Sequence, residues 1–239
     1  MKRSLPFIII LIVLAVAVGS AWYATRPTPG STTANQTSPA SPSSPNKPAS
    51  NARPAQLMGV PGAEPAHTLG AANAPAHIEE FGDFQCPPCG MFHPILEQMH
   101  KEFGDKLRIT FREYPLPGHN HAVAAASAAE SAGLQKKFWE MHDLIYEHQA
   151  DWKDKYDVAP IFEGYAKQIG VDVERWKRDI ASEQVSQRIF LDSRRGQSMG
   201  VRGTPTAFLN GREVPFETLI QADKLRAVIQ NEINASGSR

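Results

Sequence analysis

Hydrophobic and polar positions divide the chain into three unequal parts. Leu5 to Ala24 carries no charge, and Phe7 to Val18 is an unbroken apolar run. About twenty helical residues span roughly 30 Å, the hydrocarbon thickness of a bilayer. The pattern predicts a transmembrane anchor or a signal segment over 1–24, with Lys2 and Arg3 holding the N-terminus inside. From 25 to 65, Pro, Ser, Thr and Ala dominate, and large apolar side chains are almost absent. Such a stretch buries too little surface to offset its ordering entropy, so a disordered linker is expected there. Periodic structure begins at 66, and one folded domain is expected over 66–239.

Within that domain the period switches repeatedly. Ala76 to Phe81 reads as a strand ending at Gly82-Asp83. Met91, Phe92, Ile95, Leu96, Met99 and Phe103 form a helical stripe, closed by Gly104. Leu107 to Arg112 alternates as a second strand. A strand–helix–strand unit favours a parallel pair with a right-handed crossover. Helical spacing then fills about 118–200, with stripes at Phe138, Met141 and Ile145, at Ile161, Phe162 and Tyr165, and at Val173, Trp176 and Ile180. A last helix of this insertion is expected from Glu183 to Met199. Trp139 and Trp152 are expected to pack in the core. Thr206 to Leu209 is a strand, Asn210-Gly211 a two-residue hairpin turn, and Leu225, Val228, Ile229 and Ile233 mark a terminal helix. The pattern as a whole is α/β.

Charge and cysteine count narrow the chemistry. Formal net charge is zero, so no bulk electrostatic case exists for nucleic acid. Two cysteines cannot build a disulfide framework. Both lie in Cys86-Pro87-Pro88-Cys89, between the first strand and its helix. A bond between them closes a loop worth only roughly 2 kcal/mol, so the pair is chemical rather than structural. A redox dithiol and a zinc site with His119 and His121 are the two candidate uses. Zinc lacks the usual histidine spacing and leaves Thr204-Pro205 unexplained. As a dithiol, Cys86 stands at a helix N-terminus, where the dipole favours a thiolate. Pro87 and Pro88 suit the first turn. Cys89, one turn inward, is placed to resolve a mixed disulfide. His119 is expected to be a cap or a surface residue.

Four stretches taken together carry a family resemblance: Glu80 to Cys89, Phe111-Arg112-Glu113-Tyr114-Pro115-Leu116, the helical insertion, and Gly203-Thr204-Pro205-Thr206. Over roughly 66–235 the chain resembles the DsbA-like thiol–disulfide oxidoreductases of the thioredoxin superfamily. The resemblance implies a thioredoxin-like fold with a helical insertion and a redox-active Cys86–Cys89 pair. It implies Glu80 as proton acceptor or donor for Cys89, with Glu79 the alternative if the strand register is opposite. It implies that Thr204 and a cis Pro205 meet the substrate peptide, and that no metal or cofactor takes part. Its clients would be unfolded or newly exported cysteine-containing proteins. A membrane partner would reoxidise it, and the domain would lie outside the cytoplasmic membrane, anchored or released by cleavage. One position departs from the pattern: the best-known members carry a histidine where this chain has Pro88. That leaves the direction of electron flow open between disulfide formation and a tethered reductase or isomerase. A non-catalytic peptide-binding holdase is the third reading.

Overall fold

The computed structural model describes residues 59–237. The apolar segment at 1–24 and the linker up to residue 58 lie outside the described residues. Among the described residues no helix is long and apolar enough to cross a membrane.

Five strands form one sheet in the order β1-β3-β2-β4-β5. They are β1 (His67–Leu69), β2 (Ala76–Gly82), β3 (Leu107–Glu113), β4 (Thr206–Leu209) and β5 (Arg212–Val214). β2 and β3 run parallel, joined through α1 (Pro87–Phe103), as the alternating pattern predicts. β4 pairs antiparallel with β2, and β5 with β4. Asn210 and Gly211 make the intervening turn with φ of 49° and 79°, the left-handed conformation that these two residue types tolerate best. β1, antiparallel to β3, is the strand that the sequence pattern does not signal. Three residues are too few to display an alternation.

The insertion consists of α2 (Ala122–Gly133), α3 (Phe138–Glu147), α4 (Gln149–Trp152), α5 (Ala159–Gln168), α6 (Val173–Ile180) and α7 (Glu183–Ser198). Its alanines have a packing purpose. Ala125, Ala128, Ala129 and Ala132 of α2 are fully buried, which lets neighbouring helices approach closely. Trp152 and Trp176 are core residues with their polar edges satisfied, and Trp139, expected in the core, packs partly buried against it. Trp152 Nε1 donates to Ile145 O at 2.8 Å and Trp176 Nε1 to Ala128 O at 3.0 Å. After β5 come a short α8 (Phe216–Leu219) and the terminal α9 (Ala222–Gly237).

Strand alternation sorts the site residues. Ile78 packs with Phe92, Leu96, Met99 and Ile229, so the even positions of β2 face α1 and α9. Phe81 packs with Phe208, Met199 and Val201 on the other face. A second large cluster joins Phe84, Cys86, Cys89 and Phe111 to the insertion helices. The dithiol therefore stands at the seam between the strand–helix–strand unit and the insertion.

Residues 59–65 differ from the sequence expectation, which assigned them to the linker. Ala63 is fully buried, its N–H donates to Asp192 Oδ1 at 2.7 Å, and its carbonyl accepts from Arg112 Nη1 at 2.7 Å. Val60 N–H donates to Ser198 Oγ at 2.9 Å. The docking uses main-chain groups, which composition does not reveal.

Candidate active site

β2 carries the chain to the edge of the core, and Asp83 to Gln85 turn it into α1. Cys86 is the N-cap residue, extended at φ −71° and ψ 118°, and Pro87 and Pro88 occupy the first turn. Proline fits there because first-turn N–H groups have no helical partner to lose. Cys86 N–H donates to Asp83 O at 3.0 Å, and Cys86 O accepts from Cys89 N–H at 3.1 Å. From α4, Gln149 Nε2 donates to Phe84 O at 2.7 Å and Cys86 O at 2.9 Å. Gly90 makes this approach feasible, since a Cβ there would stand 2.6 Å from Gln149 Oε1.

The two thiols are free and differ sharply in environment. Cys86 is 5% exposed and Cys89 is 0% exposed. Cys86 Sγ donates to Thr204 O at 3.3 Å, so the loop before β4 lies directly against the dithiol. The Thr204–Pro205 peptide is cis. The hydrogen bond from the Cys89 thiol lowers the Cys86 pKa to about 6, against burial, with help from Thr204. Burial first, then the hydrogen bond with Cys86 and the charges of Cys86 and Glu80, push Cys89 well above an ordinary thiol.

Glu80 and Glu79 separate by alternation. Burial raises the Glu80 carboxyl to about 8, and its charge is felt at Cys89. Glu79 points the other way. It accepts from Arg112 Nε at 2.9 Å and Arg195 Nε at 2.7 Å. Burial opposes its ionisation, but Arg195 and Arg112 hold its carboxyl below the usual range. Of the two register alternatives, the structure turns Glu80 toward the dithiol. Cys86, Cys89, Thr204, Pro205 and Glu80 thus come together.

Several neighbours escape a reading of motifs. Asp83 is buried, and Oδ1 accepts from Gln85 N–H at 2.8 Å. Its Oδ2 accepts from Leu116 N–H at 2.9 Å and pairs with His119 Nδ1 at 2.7 Å. His119 is therefore a buried carboxylate's partner, not the expected cap or surface residue. His121 Nε2 pairs with Lys155 O at 2.7 Å, so neither histidine turns toward the cysteines. Tyr146 OH is buried, without a hydrogen-bond partner among the described residues, and feels the charges of Cys89, Glu80, Glu113 and Asp83. Only the Asp83 position, three before Cys86, offered a sequence signal: an Asx residue at a turn before a helix. Because the Asp83 charge raises the Cys86 pKa, Asp83→Asn is expected to lower it. Thiolate absorbance against pH measures this, and an unchanged or raised value contradicts it.

Comparison with known proteins agrees with this architecture. A family model described as thioredoxin matches residues 63–231. The chain is 38% identical over 147 residues to a protein of Salinispora arenicola named Na(+)/H(+) antiporter NhaA 1. The match covers 61% of this chain but 22% of that protein, so the transport activity in the name is not carried over. It is 32% identical over 151 residues to the probable disulfide bond formation protein D of Bacillus cereus, covering 60% of this chain and 69% of that one. Among solved structures, oxidised BdbD from Bacillus subtilis superposes with a TM-score of 0.63 at 25% identity, covering 71% of this chain and 93% of that chain.

Proposed function

This chain belongs to the thioredoxin family, and from that membership and its paired thiols we propose that it is a thiol–disulfide oxidoreductase that forms disulfide bonds in exported proteins. The observation that carries the reading is the asymmetry of the pair. One sulfur is at the rim with its pKa lowered to about 6, and the other is sealed and pushed up. A low-pKa sulfur is a good leaving group and stabilises the reduced form, which favours net oxidation of the client. The lowered pKa arises here without a histidine at Pro88, and this supports oxidation over reduction.

In the forward reaction a client thiolate attacks Cys86 Sγ of the Cys86–Cys89 disulfide. One S–S bond forms and one breaks, and Cys89 leaves as a thiolate that takes a proton from Glu80. A second client thiolate then attacks the client sulfur of the mixed disulfide, and Cys86 leaves as a thiolate. The client gains a disulfide and the protein holds both electrons. Thr204 and Pro205 border Cys86, where an extended client segment has backbone to pair with. A membrane partner would take the electrons back, and the domain would work outside the cytoplasmic membrane on the chain's N-terminal tether. The test is oxidation of a reduced, unfolded client by the preoxidised protein. Stoichiometric disulfide transfer that vanishes in Cys86→Ser supports the reading. Equal behaviour of the two proteins, or client binding alone, overturns it.

Glu80 gives a separate test with a defined sign. Its carboxyl titrates near 4.5 in an unfolded chain and near 8 here. Between those values the folded state binds more protons, so stability falls as pH rises through that window. Glu80→Gln is expected to remove the fall, leaving the variant more stable than wild type above pH 8 and little changed below 4.5. Because glutamine carries no exchangeable acid proton, departure of Cys89 is expected to slow as well. Denaturant melts across pH with single-turnover kinetics measure both. Unchanged kinetics would remove Glu80 from the proton step.

A further inference from the structure

The dithiol helix meets the insertion at a second polar cluster, which disulfide exchange does not use. His93 lies on α1, one turn beyond Cys89, and His142 and Asp143 are neighbours on α3. His93 Nε2 stands 3.2 Å from Asp143 Oδ1, and His142 Nδ1 stands 2.8 Å from the same oxygen. The three donor atoms fall within 4.8 Å of one another. Both imidazoles are buried, at 8% and 5% exposure, whereas the Asp143 side chain is 43% exposed. The cluster therefore has a closed floor and an open side.

The second nitrogen of the His142 ring bears on which proton form that ring takes. His142 Nε2 is buried and has no hydrogen-bond partner among the described residues. The rings of Phe111 and Tyr146 stand near-perpendicular to the imidazole, with centroids at 4.8 and 5.0 Å. An N–H in such a place gains from facing an aromatic ring, and a lone pair gains nothing. In the tautomer that carries its proton on Nε2, the His142 Nδ1 lone pair faces Asp143 Oδ1, and a cation binds between them in place of a hydrogen bond.

We propose that His93 Nε2, His142 Nδ1 and the Asp143 carboxylate form a site for a borderline divalent transition ion, zinc being the model, that ties α1 to α3. Two imidazole nitrogens and one carboxylate oxygen suit zinc and its neighbours rather than calcium or magnesium, which take oxygen-rich sets. Tetrahedral ligation at about 2.0–2.1 Å spaces the donors by roughly 3.3–3.4 Å, close to the 3.2 and 2.8 Å that separate Asp143 Oδ1 from the two imidazole nitrogens. The open side at Asp143 leaves the fourth position to water. Neither cysteine is a ligand, so the site stands or falls independently of disulfide exchange.

The test uses the full chain carrying Cys86→Ser and Cys89→Ser, which removes thiolate ligation. Zn²⁺ is titrated by calorimetry, and Co²⁺ by visible absorption. The expected result is one zinc per chain, tetrahedral Co²⁺ bands, and a melting temperature that rises with added zinc. Asp143→Asn and His93→Gln, each added to that background, are expected to weaken zinc binding roughly tenfold or more, and metal-free melting of the Asp143→Asn protein stays as in the parent. Asp143 is half-exposed, which makes its variant the fold-safe arm. Absence of saturable binding overturns the proposal. So does binding of undiminished affinity in both variants, which assigns the ion to other histidines.

Discussion

Replacing Cys89 with serine is expected to trap covalent mixed disulfides between Cys86 and a disulfide-bearing substrate, while Cys86→Ser forms none and falls to the uncatalysed rate. A thiol with a pKa of about 6 is mostly thiolate at neutral pH, roughly nine-tenths by simple titration. That thiolate attacks a substrate disulfide, joins one substrate sulfur and expels the other. Release needs a second thiolate within reach, and Cys89, a single helical turn inward, is the group so placed. Non-reducing electrophoresis and intact mass measure the adduct. The comparison of Cys89→Ser with Cys89→Ala adds a physical check. Serine retains a donor toward Cys86, whereas alanine removes the hydrogen bond that contributes most to the lowered pKa. The Cys86 pKa is therefore expected to rise more in the alanine variant. Adducts formed equally well by Cys86→Ser would contradict the assignment of roles.

Arg112→Met is expected to destabilise the domain by about 3–5 kcal/mol, the range found when one partner of a buried ionic network is removed. Arg112 Nη1 donates to Asp192 Oδ1 at 3.0 Å and to Ala63 O at 2.7 Å, and Nε donates to Glu79 Oε1 at 2.9 Å. Glu79 keeps Arg195 after the change, but Asp192 is left buried without its cation. Burial already raises the Asp192 carboxyl to about 6, with Arg112 pulling it down. Without Arg112 the folded state holds the Asp192 proton to still higher pH, so the loss grows as pH rises from 5 to 8. Arg112→Met combined with Asp192→Asn should recover part of it. Urea unfolding at both pH values measures these differences, and a loss under about 1 kcal/mol at pH 8 would contradict the account.

The same residues explain how much was legible beforehand. Periodicity located β2, β3, α1 and most of the insertion, because each buries a continuous apolar face. Asn210-Gly211 announced its hairpin because its chemistry is local. The network around Arg112 left no trace, since its partners are Glu79, Ala63 and Asp192, far apart in the chain and drawn together only by the fold. The same network docks residues 59–65, which composition alone assigned to the linker. Cys86, Cys89, Thr204 and Pro205 were readable from motifs. Asp83 gave a turn signal alone and His119 gave none, because their hydrogen bond across 36 positions has no sequence period. Glu79 and Glu80 show the limit most plainly: alternation says that they face opposite ways, and only the two arginines behind Glu79 say which way.

The most direct test of the account is a redox titration of the Cys86–Cys89 pair in glutathione buffers, run with thiolate absorbance against pH. A Cys86 pKa near 6 and a reduction potential nearer about −120 mV than about −270 mV, the oxidising end of the range for such dithiols, are expected. A potential at or below about −270 mV with an ordinary thiol pKa would contradict it and make the protein a reductant.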